Sequence, residues 1–355
     1  MISTGAKGKD REMTQRPAGI ENDLQEVAAA VDRQMASLAA PLSRLIAQLD
    51  RHRPEVVVTC ARGSSAHAAT FAKHLIERHL GIPVAAAAPN IATVYRRTLN
   101  LKGQLLLTIS QSGRSDDLIE TTAMARSAGA ITVAVVNDAA SPLAQAAQYV
   151  LPLAAGPERS VAATKSFVTS LAALLQLMAA WTDDACMRSA FARLPRRLAG
   201  ANELHWEEAL VVFTDADSLV TIGRGPTLAI AREAALKLKE TCALHAEAFS
   251  AAEFRHGPIA LVSRSYPILA FNPADEAAAG VTDLVADLRQ KGARVLVAEP
   301  GDPQGGRLAA LAPDYPDADA ICMIQSFYAF LVKLAARRGT DADQPRHLQK
   351  VTRTR

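Results

Sequence analysis

Two stretches of this chain, 162 residues apart, spell the same structural unit. VVTCARGSSAHAATFA, beginning at Val57, aligns with LVTIGRGPTLAIAREA, beginning at Leu219, so that Arg62 falls on Arg224 and Gly63 on Gly225. Val58/Val220, Thr59/Thr221, Ala69/Ala231 and Ala72/Ala234 coincide as well. At the same offset Leu106-Leu107 meets Ile268-Leu269, and one residue later Gly129-Ala130 meets Gly292-Ala293. Each copy is a short apolar run, a glycine turn and then a helical pattern. Apolar runs of this length between helices read as strands of a parallel sheet covered on both faces. A tandem duplication of one α/β unit follows.

Periodicity places strands at Val56–Thr59, Leu105–Ile109, Ile131–Val136 and Tyr149–Leu153 in the first copy. In the second it places them at Leu219–Ile222, Pro267–Phe271, Arg294–Ala298 and Ala320–Met323. Helical patterns fill the gaps, notably Ser65–Leu80, Asp116–Ala128, Thr164–Trp181, Thr227–Glu240 and Ile324–Arg338. The expected organisation is a flexible N-terminal tail (1–19), a first unit with an N-terminal helix (20–200), a second unit (201–339) and a C-terminal tail (340–355).

Composition narrows the function. Hydrophobic residues make up 49% and charged residues 21%, a globular balance, with a net charge of +3 and no long basic block. Aromatics are 5%, too few for a base-stacking surface, and no nucleic-acid partner is expected. No apolar run reaches the roughly 18–20 residues of a membrane span, and the polar start MISTGAKGKDREMTQRP lacks a secretory core. Cys60, Cys186, Cys242 and Cys322 form no CxxC pair, and two of them lie in the apolar runs VVVTC and ICMIQ. Buried reduced thiols and a cytoplasmic location are the expectation. The histidines show no metal-ligand spacing; neither metal nor other cofactor is expected.

The stretch LLLTISQSGRSDDLIE carries the chemistry. A buried strand empties into Ser110-Gln111-Ser112-Gly113-Arg114-Ser115 and a new helix. In an open parallel sheet ligands sit beyond the carboxyl ends of the strands, where helix N-termini present N–H groups. Hydroxyls from Ser110, Ser112 and Ser115, the Gln111 amide and a permissive Gly113 supply donors for a phosphate dianion. No Gly-Lys-[Ser/Thr] follows, so this is not a triphosphate loop. The competing reading is a plain turn in which Ser115 caps the helix and Asp116 and Asp117 favour its N-terminus. Gly223-Arg224-Gly225 begins a dinucleotide fingerprint but has Leu228 at its third glycine position. The second copy has Asn272-Pro273-Ala274-Asp275 where the first has its serine loop, so one ligand loop is expected, in the first half.

Together CARGSS, SQSGRSDD, GPERSVAATKSF, IGRGPTLAIAREAALKLKE, HAEAFSAAEFRHGP and QPRHLQKVT resemble the sugar isomerase (SIS) domain family. Within it they are most similar to the isomerase half of the glutamine–fructose-6-phosphate aminotransferases. The likeness runs from about residue 56 to the end of the chain. It implies two tandem SIS subdomains, each a flavodoxin-like three-layer α/β/α unit with a parallel sheet. By motif match it implies substrate binding by Ser65, Ser110, Gln111, Ser112, Ser115, Val161 and Lys237. It makes Glu240 the base that moves a proton between C1 and C2, and His256, supplied by a neighbouring subunit, the group that opens the sugar ring. Lys350 in the C-terminal tail would close over the substrate. Spacing alone leaves Glu233, Lys237 and Glu240 equally readable as a solvated salt-bridge ladder.

The resemblance further implies a sugar-phosphate substrate and a homodimer with shared sites. Only about 50 residues precede the first strand, with no N-terminal cysteine, so a glutaminase half is not expected. The expected activity is that of stand-alone relatives: glucosamine 6-phosphate plus water giving fructose 6-phosphate and ammonia. Ala163 replaces the serine of the family's VASTK stretch and Arg114 the glutamate of SQSGE. Galactosamine, tagatose or fructosamine-type phosphates therefore remain alternative substrates, and a non-catalytic sugar-phosphate sensor is the reading from another class. The alanine-rich Ala163–Ala180 surface is the expected packing face for a twin.

Overall fold

The computed structural model describes residues 19–301 and 305–350. The N-terminal tail expected over 1–19 lies outside them but for Gly19, as do the last five residues of the C-terminal tail.

The first half opens with a long helix, α1 (Ile20–Arg51). Then come β1 (Val57–Cys60), α2 (Gly63–Leu80), β2 (Val84–Ala86), α3 (Asn90–Thr93), β3 (Leu105–Ser110), α4 (Asp116–Ser127), β4 (Ile131–Val136), α5 (Pro142–Ala146) and β5 (Tyr149–Pro152). Helices α6 (Lys165–Trp181), α7 (Ala185–Asn202) and α8 (Glu207–Phe213) lead into the second half. There β6 (Ser218–Gly223), α9 (Thr227–Cys242), β7 (His245–Ser250), β8 (Pro267–Phe271), α10 (Ala278–Gln290), β9 (Arg294–Ala298) and β10 (Arg307–Leu308) precede α11 (Pro316–Arg337).

The duplication seen in the residues is a duplication of topology. The first sheet runs β2-β1-β3-β4-β5 and the second β7-β6-β8-β9-β10, every pairing parallel. Both are the 2-1-3-4-5 order of the flavodoxin-like doubly wound sheet, whose ligand crevice opens where the winding reverses, between the first and third strands. Strand β3 is buried along all six residues and pairs with β4 from Leu105↔Ile131 to Ser110↔Val136. Two-sided burial explains why these strands read as continuous apolar runs.

The halves share one hydrophobic core, which runs from Val57 and Leu105 through Leu171 and Phe327 to Leu219 and Leu269. Helices α6 and α11 fill its middle. The strand expected at Ala320–Met323 is instead part of α11, buried on every side from Asp317 to Tyr328. A fully buried helix and a fully buried strand present the same unbroken apolar run, and periodicity cannot separate them. The length and mean hydropathy of α11, 1.4 over its best window, match a membrane span, but 83% of that window is buried inside the fold. Helix α6 corrects a second expectation: its alanine face is buried against α1, α2 and α7 and offers no surface to a twin.

An ion cluster ties the halves together away from the serine loop. Arg78, at the C-terminal end of α2, binds Asp275 after β8 at 3.0 Å and also Asp317 in the first turn of α11. The side chains of Asp275 and Asp317 are 7% and 1% exposed, so without Arg78 two carboxylates are left buried. Removing one partner of such a pair is strongly destabilising. Arg78→Met is expected to lower unfolding free energy by about 3 kcal/mol, read as a shift in the urea midpoint at unchanged slope.

Candidate active site

The switch point of the first sheet is bounded by the turns after β1 and β3. The β3 turn is shaped by its own hydroxyls: Ser110 Oγ accepts the Gly113 N–H at 3.1 Å and Ser112 Oγ the Arg114 N–H at 3.3 Å. Gly113 has φ +63°, and a Cβ there would lie 2.2 Å from Ser141 Oγ and 2.9 Å from a Val136 methyl, so the turn admits no side chain at this position. Ser115 is the N-cap residue of α4, yet its hydroxyl makes no capping bond; Asp117 Oδ1 accepts the Leu118 N–H instead. The Ser115 hydroxyl therefore stays available to the crevice.

From the second half, α9 points a buried ladder at the same place. Lys237, with a side chain 1% exposed, donates from Nζ to Glu240 Oε2 at 2.5 Å and to Ser64 Oγ at 3.0 Å, and stands 3.4 Å from Glu233 Oε1. Glu233 is fully buried and bonded to His67 Nδ1 at 2.8 Å and to the Tyr328 hydroxyl at 3.1 Å. Burial alone would raise the Glu233 pKa, but Lys237 and then His67 outweigh it and hold the carboxyl below its ordinary range. Burial alone would lower the Lys237 pKa, but Glu233 and Glu240 outweigh it and hold the ammonium above 10.5. The ladder is thus an interior ion triad rather than a solvated face, and Glu240 is its half-buried end.

These elements enclose a cleft of about 320 Å³. Nine of the residues singled out in the sequence line it: Ser65, Ser110, Gln111, Ser112, Ser115, Val161, Lys237, Glu240 and Lys350. Lys350 donates to the Ser160 carbonyl at 3.0 Å, which lays the C-terminal tail along the cleft. His256 is not brought to this cleft; it is exposed, between two 3₁₀ turns (Glu253–Arg255 and Pro258–Leu261). Arg114 turns outward to Asp138 at 2.9 Å, whereas Ala163 lines the cleft.

The sequence reading missed Arg62, Ser64 and Glu158, which also line it. Glu158 is 6% exposed and accepts the Thr164 and Ser166 N–H groups, both at 2.9 Å, and the Ser166 hydroxyl at 2.6 Å, so it organises the loop that carries Val161. An acid six to eight residues ahead of Thr164 and Ser166 at the start of a helix was the available signal. That loop is pinned from α1: Asp23 Oδ2 accepts the Arg159 and Ser160 N–H groups, and Lys165 lies between Asp23 and Glu26.

A family profile described as SIS domain matches residues 53–180 and 212–298, which hold every strand but β10. The chain belongs to the SIS domain family. Glutamine–fructose-6-phosphate aminotransferase (isomerizing) of Symbiobacterium thermophilum is 34% identical over 322 residues, 84% of this chain and 51% of that protein. The chain spans about half the length of the curated relatives it matches, 51% to 58% in the first three. A crystal structure from Silicibacter pomeroyi, provisionally assigned as a phosphosugar isomerase, superposes with a TM-score of 0.87 at 40% identity, covering 91% of this chain and 99% of that one. The glucosamine-6-phosphate deaminase of Thermotoga maritima shares the fold, with a TM-score of 0.69 at 22% identity over 93% of this chain and all of that one.

The two SIS units have diverged at their switch points. Where the first presents Ser112 and Gly113, the second places Asp275, whose carboxylate takes Arg78 and the Ala277 N–H. That turn already holds an internal anion.

The triad sets a pH dependence. With its pKa depressed, Glu233 stabilises the fold above its ordinary value of 4.5, and that contribution is lost as pH falls through the folded value. Lys237, with its pKa raised, stabilises below 10.5, and its contribution is lost as pH rises through the folded value. Glu233→Gln should lower stability at pH 7 by about 3 kcal/mol and flatten the acid limb, as read by urea unfolding between about pH 3 and 8.

Proposed function

We propose that this SIS protein isomerises an amino-sugar 6-phosphate between C1 and C2 and releases its amine, taking glucosamine 6-phosphate and water to fructose 6-phosphate and ammonia. The observation that carries the reading is the Glu240 carboxylate held 2.5 Å from a buried ammonium, in the same small cleft as the hydroxyl-rich turn. The turn suits a phosphate and the pair suits proton transfer. A cleft of about 320 Å³ suits one hexose phosphate between them.

In this reading Ser65, Ser110, Gln111, Ser112 and Ser115 hold the phosphate, and the loop at Val161 flanks the sugar near C2. Glu240 takes the proton from C2 of the open-chain amino aldose and returns it to C1, one base serving both carbons. The charged Lys237 steadies the carboxylate and the negative charge that develops on the C1 oxygen. The product of that transfer is an imine at C2, which water hydrolyses to ketone and ammonia, so deamination asks for no further protein group. His256 from a second copy of the chain opens the ring, an assignment in keeping with its exposure and its distance from its own cleft. Lys350, already seated on Ser160, closes the site against bulk water. The relatives named as fructose-6-phosphate aminotransferases support a hexose 6-phosphate with nitrogen chemistry. A cytoplasmic location accords with the buried thiols of Cys60, Cys242 and Cys322.

The test is ammonia release by the purified protein from glucosamine 6-phosphate. Galactosamine 6-phosphate is run alongside, because Ala163 lines the cleft where the family has serine. Release is expected with the first sugar, and Glu240→Gln is expected to lower kcat by 10³-fold or more, on the order of a lost general base. A thermal shift with either sugar but no ammonia from either would overturn the deaminase reading in favour of a sensor or another substrate. His256→Asn mixed with Glu240→Gln should recover about a quarter of wild-type activity if the site is shared between subunits, and none if it is not.

A further inference from the structure

The hydroxyl-rich turn offers a phosphate many donors but no charge. The cations lining the cleft among the described residues are Arg62, Lys237 and Lys350. Lys237 is held by two carboxylates at the chemical end, and Lys350 is bonded to a carbonyl. Arg62 is placed differently. It stands in the β1–α2 turn, and its Nε and Nη2 both lie 2.9 Å from one oxygen of Asp117, two residues past Ser115. The guanidinium therefore overlies the start of α4, where the serine loop ends. Asp117 is 1% exposed, whereas half of the Arg62 side chain (52%) remains open. A guanidinium carries five N–H donors in a fork that matches phosphate geometry, and here the Nε–H goes to Asp117.

The duplicated half supplies an internal comparison. Arg224 occupies the matching turn, but the position matching Asp117 is Ala279, and Arg224 lies over the bare Gly280, where a Cβ would be 2.5 Å from its Nη1. Among the described residues Arg224 makes no ion pair, whereas Arg62, in the half that has the serine loop, pairs with Asp117.

We propose that Arg62 is the cation of the phosphate site, and that Asp117 holds the guanidinium in place while tempering the charge it lends to the ligand. This rests on the sugar-phosphate reading above. Charge-assisted N–H···O bonds are about twice as strong as neutral ones, so the arginine carries a large share of phosphate affinity while standing away from the reacting carbons.

Isothermal titration with inorganic phosphate and with fructose 6-phosphate, on wild type, Arg62→Met, Asp117→Asn and the double variant, decides it, with folding followed by circular dichroism. Arg62→Met and the double variant should bind both ligands about tenfold more weakly than wild type. Asp117→Asn, which keeps an acceptor oxygen to seat the Arg62 Nε–H but removes the competing negative charge, should bind them as tightly or more tightly. The double variant leaves no unpaired buried carboxylate, so it remains informative if Arg62→Met fails to fold. Equal weakening in Arg62→Met and Asp117→Asn would reduce the pair to a structural clamp and overturn the proposal. So would unchanged affinity in the double variant. Wild-type protein that binds neither ligand would overturn the sugar-phosphate reading itself, a result distinct from wild-type binding that the substitutions leave unmoved.

Discussion

A lysine with almost no access to solvent, flanked on one helix by two glutamates, is the interaction on which the rest of the structure depends. Isolated in a protein interior the Lys237 ammonium would be prohibitively costly; between Glu233 and Glu240 it stays charged. The arrangement needs more than α9. Glu233 is satisfied by His67 from α2 and Tyr328 from α11, and Lys237 itself reaches Ser64 in the turn of the first sheet. Electrostatics of the second half are thereby delivered to the crevice of the first. The two halves cannot drift apart without taking the His67 and Ser64 hydrogen bonds from Glu233 and Lys237.

Duplication gave the chain two equivalent switch points, and the residues around them have diverged. In the first half the turn after β3 has small hydroxyl side chains, a glycine forced by Ser141 and Val136, and a helix cap that leaves Ser115 unspent. In the second half Asp275 brings its own carboxylate, and Arg78 reaches it from α2 of the first half. The second crevice thus serves cohesion between the halves. In the proposed mechanism one copy holds the phosphate loop and the other supplies the groups for proton transfer.

Much of this was legible before any coordinates. Six of the seven strands found are largely buried on both faces and carry an unbroken apolar run between turns, the edge strand β5 being only partly buried, and Ile131–Val136, Pro267–Phe271 and Arg294–Ala298 fell at their observed ends. The short edge strands β2, β7 and β10 went unseen: two or three residues long, or exposed along one side as in HAEAFS, they carry no such run. Helix α11 was split between strand and helix because a helix sunk in the core hides its period. At the site, the serine loop could be read from residue types alone. The roles proposed for Glu240, His256 and Lys350 came from resemblance, since a glutamate three residues after a lysine is ordinary on any helix. Arg62 was missed because its importance lies in Asp117, 55 residues away, which only the fold brings beside it, and Glu158 was missed although its partner Ser166 stands only 8 residues on.

In the proposed mechanism Glu240, held by Lys237, moves a proton between neighbouring sugar carbons. Incubating the protein with fructose 6-phosphate in deuterium oxide and following the C1 protons by NMR tests that step without reference to the amine. Wild-type protein should exchange one C1 proton for deuterium stereospecifically, and Glu240→Gln should leave both in place while still binding the sugar. Exchange at the wild-type rate in Glu240→Gln, or a wild type that binds the sugar and exchanges nothing, would contradict the account.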